Sequence, residues 1–213
     1  MLTNLLLDFA LVGAEWVLWV LVGLSLLTVF VVLERWYFYA TRKVDIDDLR
    51  LKLEDELDEN DFDGAADLLD GKESMEAHVV LFGLRDRERG ADAVEDRMTG
   101  ALSTEKTRYN KFLPILGTIG NNAPFVGLFG TVLGIIGAFA NLALGSQEAA
   151  QSVMHSISEA LVATGVGLMV AIPAVIAFNI FKSRVKKSVA QTDLLGRTLL
   201  AHLRPEQDPR DEQ

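Results

Sequence analysis

Among the polar side chains in the apolar parts of this sequence, three are candidates for chemistry: Thr131 in FGTVLGI, and Glu159 and Thr164 in ISEALVATGVGLMVAIPAV (157–175). A hydroxyl both donates and accepts hydrogen bonds, and a carboxylate carries charge or a proton. Within hydrocarbon an ionised carboxylate costs several kcal/mol unless it faces a cavity or a partner, which makes Glu159 a candidate for an ion path. At the edge of a membrane the same group is solvated at little cost, and residue type alone favours neither placement. A threonine in a membrane helix also commonly bonds its own backbone carbonyl one turn back, and that is the ordinary account of either hydroxyl alone. Their relative placement adds something. The midpoint between Thr131 and Thr164 falls at Gln147 and Glu148, inside the turn-like ALGSQE, so an antiparallel hairpin brings both hydroxyls to similar depth. Glu159 then lies about 7.5 Å nearer the hairpin's closed end, at 1.5 Å of rise per residue.

The elements that must hold these groups follow from segregation. The 213 residues are 50% hydrophobic yet 23% charged, with a net charge of -10 and a mean hydropathy of +0.24. Apolar residues concentrate in 14–33, 112–144 and 160–181, and each stretch reaches the roughly 20 residues a helix needs to cross a bilayer core. The expected fold is an all-α membrane protein with three transmembrane helices and a cytoplasmic helical extension between the first and second. The opening MLTNLLLDFALVGAE holds no Lys or Arg and its apolar run continues, so it reads as a retained span rather than a cleaved signal.

Charge sets the orientation. Arg35, Arg42 and Lys43 follow the first span, Lys106, Arg108 and Lys111 precede the second, and Lys182, Arg184, Lys186 and Lys187 follow the third. No Lys or Arg occurs before the first span or in 141–158. The positive-inside rule therefore puts 1–13 and the turn at 145–158 outside, and 41–111 and 182–213 in the cytoplasm, with spans at 14–40, 112–144 and 159–181. Trp16 and Trp19 at one end of the first span, and Trp36, Tyr37 and Tyr39 at the other, have the character of interfacial belts. In the cytoplasmic region Ile46, Leu49, Leu53 and Leu57 keep helical spacing, and Asp61 is placed to cap a short helix holding Ala65, Leu68 and Leu69. The acids of ENDFDGAADLLD imitate a calcium loop, but Glu59 and Asp70 depart from it at both ends. The tail RPEQDPRDEQ reads as disordered.

Small residues line one stripe of each later span: Gly120, Pro124, Gly127, Thr131, Gly134 and Ala138, and then Ala160, Ala163, Thr164, Gly167, Ala171 and Ala174. In lipid such faces signal close backbone approach, and Gly130 with Gly134 forms a small-xxx-small pair. Pro124 and Pro173 are tolerated in membrane helices. Asn121 and Asn122 either bond between helices or sit near the inner mouth. An acidic chain does not carry a nucleic-acid footprint. The sequence has no cysteine, no nucleophile–base or metal constellation that points to an enzyme, and no internal repeat of a secondary transporter. No Asp or Glu lies deep in the first two spans, so a proton relay through this chain calls for a carboxylate from another subunit.

NNAPFVGLFGTVLGIIGAF (121–139) and ISEALVATGVGLMVAIPAVIAFN (157–179), together with the Glu34-Arg35 pair ending the first span, closely resemble the ExbB/TolQ/MotA proton-channel family, nearest to its ExbB branch with TolQ next. That resemblance implies a bacterial inner-membrane, proton-motive-force-driven molecular motor with a periplasmic N-terminus and a cytoplasmic C-terminus. A homopentamer would enclose single-span partner helices of the ExbD/TolR kind, whose Asp takes and releases protons. Under it Thr131 and Thr164 are pore threonines facing that Asp, and Glu159 is the pore glutamate. Gly127, Gly130, Gly134 and Gly167 are helix-packing positions of the pore. It implies no cofactor and no metal, only protons, with sodium the alternative coupling ion. The expected role is to energise TonB-type transport across the outer membrane. A TolQ-like envelope-maintenance motor acting through a TolA-like protein, or a gliding motor, is the alternative. The competing class is a non-conducting membrane scaffold.

Overall fold

The computed structural model describes residues 15–143 and 149–204, all of them in helices, turns and short connections. The expected outer N-terminus 1–13, the start of the 145–158 turn and nearly all of the tail RPEQDPRDEQ lie outside the described residues. The elements are α1 (Glu15–Thr41), α2 (Ile46–Asp58), α3 (Phe62–Leu69), α4 (Met75–Arg85), a 3-10 turn (Arg87–Arg89), α5 (Ala91–Asn110), α6 (Leu113–Ala143) and α7 (Ala149–Leu203). Three helices are long and apolar enough to cross a membrane, and they lie in α1, α6 and α7. No strand occurs among the described residues. The chain divides into two units, one formed by residues up to 34 with 112–180, the other by 35–111 with the residues from 181 onward.

The first unit packs three apolar helices together. Val17 and Leu21 of α1, Ile119, Ala123 and Leu133 of α6, and Val170, Ala171 and Ala174 of α7 form one buried cluster. Trp16 meets Phe129 edge to face at 6.1 Å between ring centroids. The opposite faces carry large exposed apolar side chains, among them Leu26, Phe30, Phe125, Phe139, Leu161 and Met169. That inversion, small inside and bulky outside, is what lipid as solvent permits. Pro124 and Pro173 sit within unbroken helices.

The second unit is a layer of short, capped helices with polar surfaces. Asp45 caps α2 by accepting from the backbone N–H groups of Asp47 and Asp48, Asp61 caps α3 through Gly64, and Ser74 caps α4 through Ala77. Each cap satisfies donors that the first helical turn leaves free. The ENDFDGAADLLD acids are accounted for here: residues 62–69 are helical, so the segment does not wrap as a loop. α7 runs helical from Ala149, within the stretch assigned to the outer turn, and continues to Leu203. Its last part is helical because Phe181, Val185, Thr192, Leu195 and Leu199 repeat at helical spacing and are buried. An aromatic cluster of Phe38, Tyr39, Tyr109 and Phe181 anchors this unit, with neighbouring centroids 5.2 to 5.8 Å apart. The Tyr39 hydroxyl donates to the Tyr109 carbonyl (2.7 Å), and the Tyr109 hydroxyl accepts from the Met75 N–H (2.9 Å). Burial pushes the Tyr109 phenol up to about 12. Arg35 is buried, with its guanidinium 4.3 Å from the Phe38 ring centre and a bond to the Arg108 carbonyl.

Candidate functional site

The site is the seam between α6 and α7, and glycine makes it. A Cβ on Gly127 would stand 2.7 Å from the Ala163 carbonyl oxygen and 3.0 Å from the Thr164 Cα. A Cβ on Gly167 would stand 2.7 Å from the Ala123 carbonyl oxygen, and one on Gly134 would stand 2.5 Å from the Ala160 Cβ. These obstacles are mostly backbone or alanine, which cannot swing away, so hydrogen is the only side chain that fits. Gly130 faces Ala163 and also Val17 of α1. Gly127, Gly130, Gly134 and Gly167 thus bring helices of one chain together.

The contacts fix the register. Gly120 lies against Val175, Gly127 against Gly167, and Gly134 against Ala160, so the two helices run antiparallel. Thr131, midway between Gly127 and Gly134, falls level with Ala163 and Thr164. Glu159 is level with the neighbourhood of Gly134, one turn or so further along. All three side chains are half-buried.

The two hydroxyls at this shared level differ. Thr131 Oγ1 donates to the Leu128 carbonyl (2.6 Å), the local back-bond that occupies many membrane threonines. Thr164 Oγ1 is shielded from solvent and has no hydrogen-bond partner. A buried unpaired hydroxyl costs roughly 1–3 kcal/mol. Several other serines and threonines take the back-bond, as Thr28 does to Leu24 (2.8 Å) and Ser158 to Met154 (2.8 Å). Thr164 therefore keeps a donor and acceptor free at the point where the two backbones come closest. Residue type did not distinguish it from Thr131, and only the rotamer does. Asn122 bonds its own helix, donating to the Thr118 carbonyl (2.8 Å). Among the described residues no group of three or more potential metal ligands comes together.

Residues 71–193 match the profile of the MotA/TolQ/ExbB proton channel family. The chain is 46% identical to the Tol-Pal system protein TolQ of Pseudomonas aeruginosa over 93 residues, 44% of this chain and 40% of that one. It is 41% identical to the biopolymer transport protein ExbB of Xanthomonas campestris over 99 residues, covering 46% of this chain and 39% of the relative. With the ExbB of Pseudomonas putida the identity is 34% over 137 residues, 61% of this chain and 42% of the other. The matched stretches thus span about two fifths of the length of these relatives.

Proposed function

We propose, because this chain belongs to the MotA/TolQ/ExbB proton channel family, that it is the channel-forming stator subunit of a motor driven by the proton motive force in a bacterial inner membrane. Copies of the chain, in the family's pentameric arrangement, surround single-span helices of an ExbD/TolR-type partner. The free Thr164 hydroxyl carries this reading. A partner carboxyl that gains and loses a proton needs a neighbour able to accept a hydrogen bond from its protonated form and donate to its ionised form. An uncommitted hydroxyl that turns out of the seam does both without a change in its own charge. Thr131, at the same level, reaches that role by giving up its bond to Leu128. Glu159 lies further along and bears on which cations approach. The coupling ion is the proton, with sodium as the alternative, and no cofactor takes part in the cycle. The N-terminus and the α6–α7 connection face the periplasm, and α2 to α5 with the end of α7 face the cytoplasm, a placement that the basic flanks support.

The client is a TonB-like protein that energises transport across the outer membrane. A TolQ-like role in envelope maintenance, through a TolA-like protein, is supported by the 46% identity to TolQ. The test is Thr164→Val in cells that depend on the system. The variant is expected to be produced and to assemble with its partner while uptake falls at least tenfold. Normal uptake by that variant would remove Thr164 from the mechanism and favour a non-conducting scaffold.

A further inference from the structure

The second unit holds a cavity of about 300 Å³ whose polar lining is strongly basic. Arg42 and Lys43, just after α1, and Arg184 and Lys187, on α7, supply four cations. Lys43, Arg184 and Lys187 pair with nothing among the described residues. Arg42 is held in place: one Nη bonds Glu73 (2.8 Å), its guanidinium stacks 4.0 Å from the Phe38 ring centre, and its Nε is buried without a partner. Three cations left unpaired around one concavity repel one another, and an anion relieves that repulsion. The sole carboxylate in the lining is Glu76, which is 3% exposed. Burial pushes the Glu76 carboxyl up, against smaller opposing effects from its own backbone, Ser188 and Ser74.

We infer that this cavity binds the phosphate-bearing headgroup of an anionic phospholipid. Sequence position selects a lipid over other phosphates. Arg184 and Lys187 come three and six residues after the apolar stretch that ends at 181, and Arg42 and Lys43 directly follow the helix of the first span. Basic pockets at the inner ends of membrane helices are suited to such headgroups. The cavity gathers cations from two separate chain segments around one concavity, which a merely basic flank does not do. The inference rests on the cytoplasmic placement of these residues proposed above. Lipid retention is measured without transport, so either idea can fail alone.

The experiment uses the full chain in nanodiscs of mixed phosphatidylglycerol and phosphatidylcholine, with lipids retained after detergent extraction counted by native mass spectrometry. The wild type is expected to retain phosphatidylglycerol in preference. R184Q/K187Q should lower that retention at least tenfold, while K182Q/K186Q, which removes the same charge from the same helix outside the cavity, should change it less than twofold. R184K/K187R should restore retention, which separates site loss from misfolding, and Glu76→Gln should raise it severalfold. Equal losses in the two double variants, or no loss in either, overturn the inference by reducing the effect to diffuse surface charge. Binding of inorganic phosphate without selectivity for phosphatidylglycerol overturns the assignment to lipid.

Discussion

The two units of this chain differ in how they treat polar groups. In the unit of α2 to α5 many polar groups are paired, through the three caps, the Tyr39–Tyr109–Met75 relay, and ion pairs such as Arg87–Asp63 (3.0 Å), Arg204–Glu95 (2.8 Å) and Arg97–Asp86, although the Arg42 Nε and one Glu105 carboxylate oxygen are buried without a partner. In the hairpin of α6 and α7 there are few polar groups; Asn122, Thr131 and Ser158 bond their own helix, and the Thr164 hydroxyl has no partner. Water can repair a missing bond in the first environment and cannot in the second. A free hydroxyl is therefore cheap evidence of nothing in a soluble layer but informative in an apolar seam, where its cost has to be offset by a use.

The sharpest way to break this contrast is to fill the seam. Gly127→Val places carbon against the Ala163 carbonyl and the Thr164 Cα, a clash that backbone cannot relieve, and should cost roughly 3 kcal/mol or more. Gly165→Val, where nothing stands within 4 Å, should leave the fold of the chain intact. Thermal unfolding in detergent compares them, and equal effects would mean that the seam is not where the helices touch.

Next in size is the uncoupling of stability from activity at Thr164. Thr164→Val keeps the shape and removes the unpaired hydroxyl, so its melting temperature should equal or exceed that of the wild type while uptake is lost. A fall in both together would mean that the hydroxyl is structural.

In the paired unit the opposite outcome is expected. Tyr109→Phe strands the buried Met75 N–H and should destabilise by about 1–3 kcal/mol, with faster hydrogen exchange at Met75 and no direct effect on the seam. Unchanged exchange at that amide would remove the relay from the account.

The smallest effect concerns His202. Its pKa is raised by the Thr198 carbonyl and then by Asp58, whose carboxylate lies 2.8 Å from Nε2. Because the folded value lies above the ordinary 6.5, the charged pair contributes its full stability below about pH 6.5 and loses it as pH rises through the raised value. His202→Gln should flatten the pH dependence of unfolding over that window. At an exposed site the change is slight.

Much of this molecule can be read from its sequence. Hydropathy marked three spans, because a bilayer demands runs of about 20 apolar residues whatever the tertiary structure. The stripes from Gly120 to Ala138 and from Ala160 to Ala174 announced a close seam, since helical periodicity fixes which residues share a face. Asp61 announced its cap by residue type and position. The extent of α7 was less legible: its apolar spacing after 181 is sparse and becomes meaningful only when Leu195 and Leu199 are seen to be buried. Glu76 and Arg35 gave no sign of burial, because a charged residue is buried by what other segments place around it. The same limit applies at the seam. Sequence put Thr131 and Thr164 at one depth, but which hydroxyl bonds backward and which stays free depends on rotamers. Those are set by the neighbouring helix, so only the packed structure decided that Thr164 is the hydroxyl left without a bond.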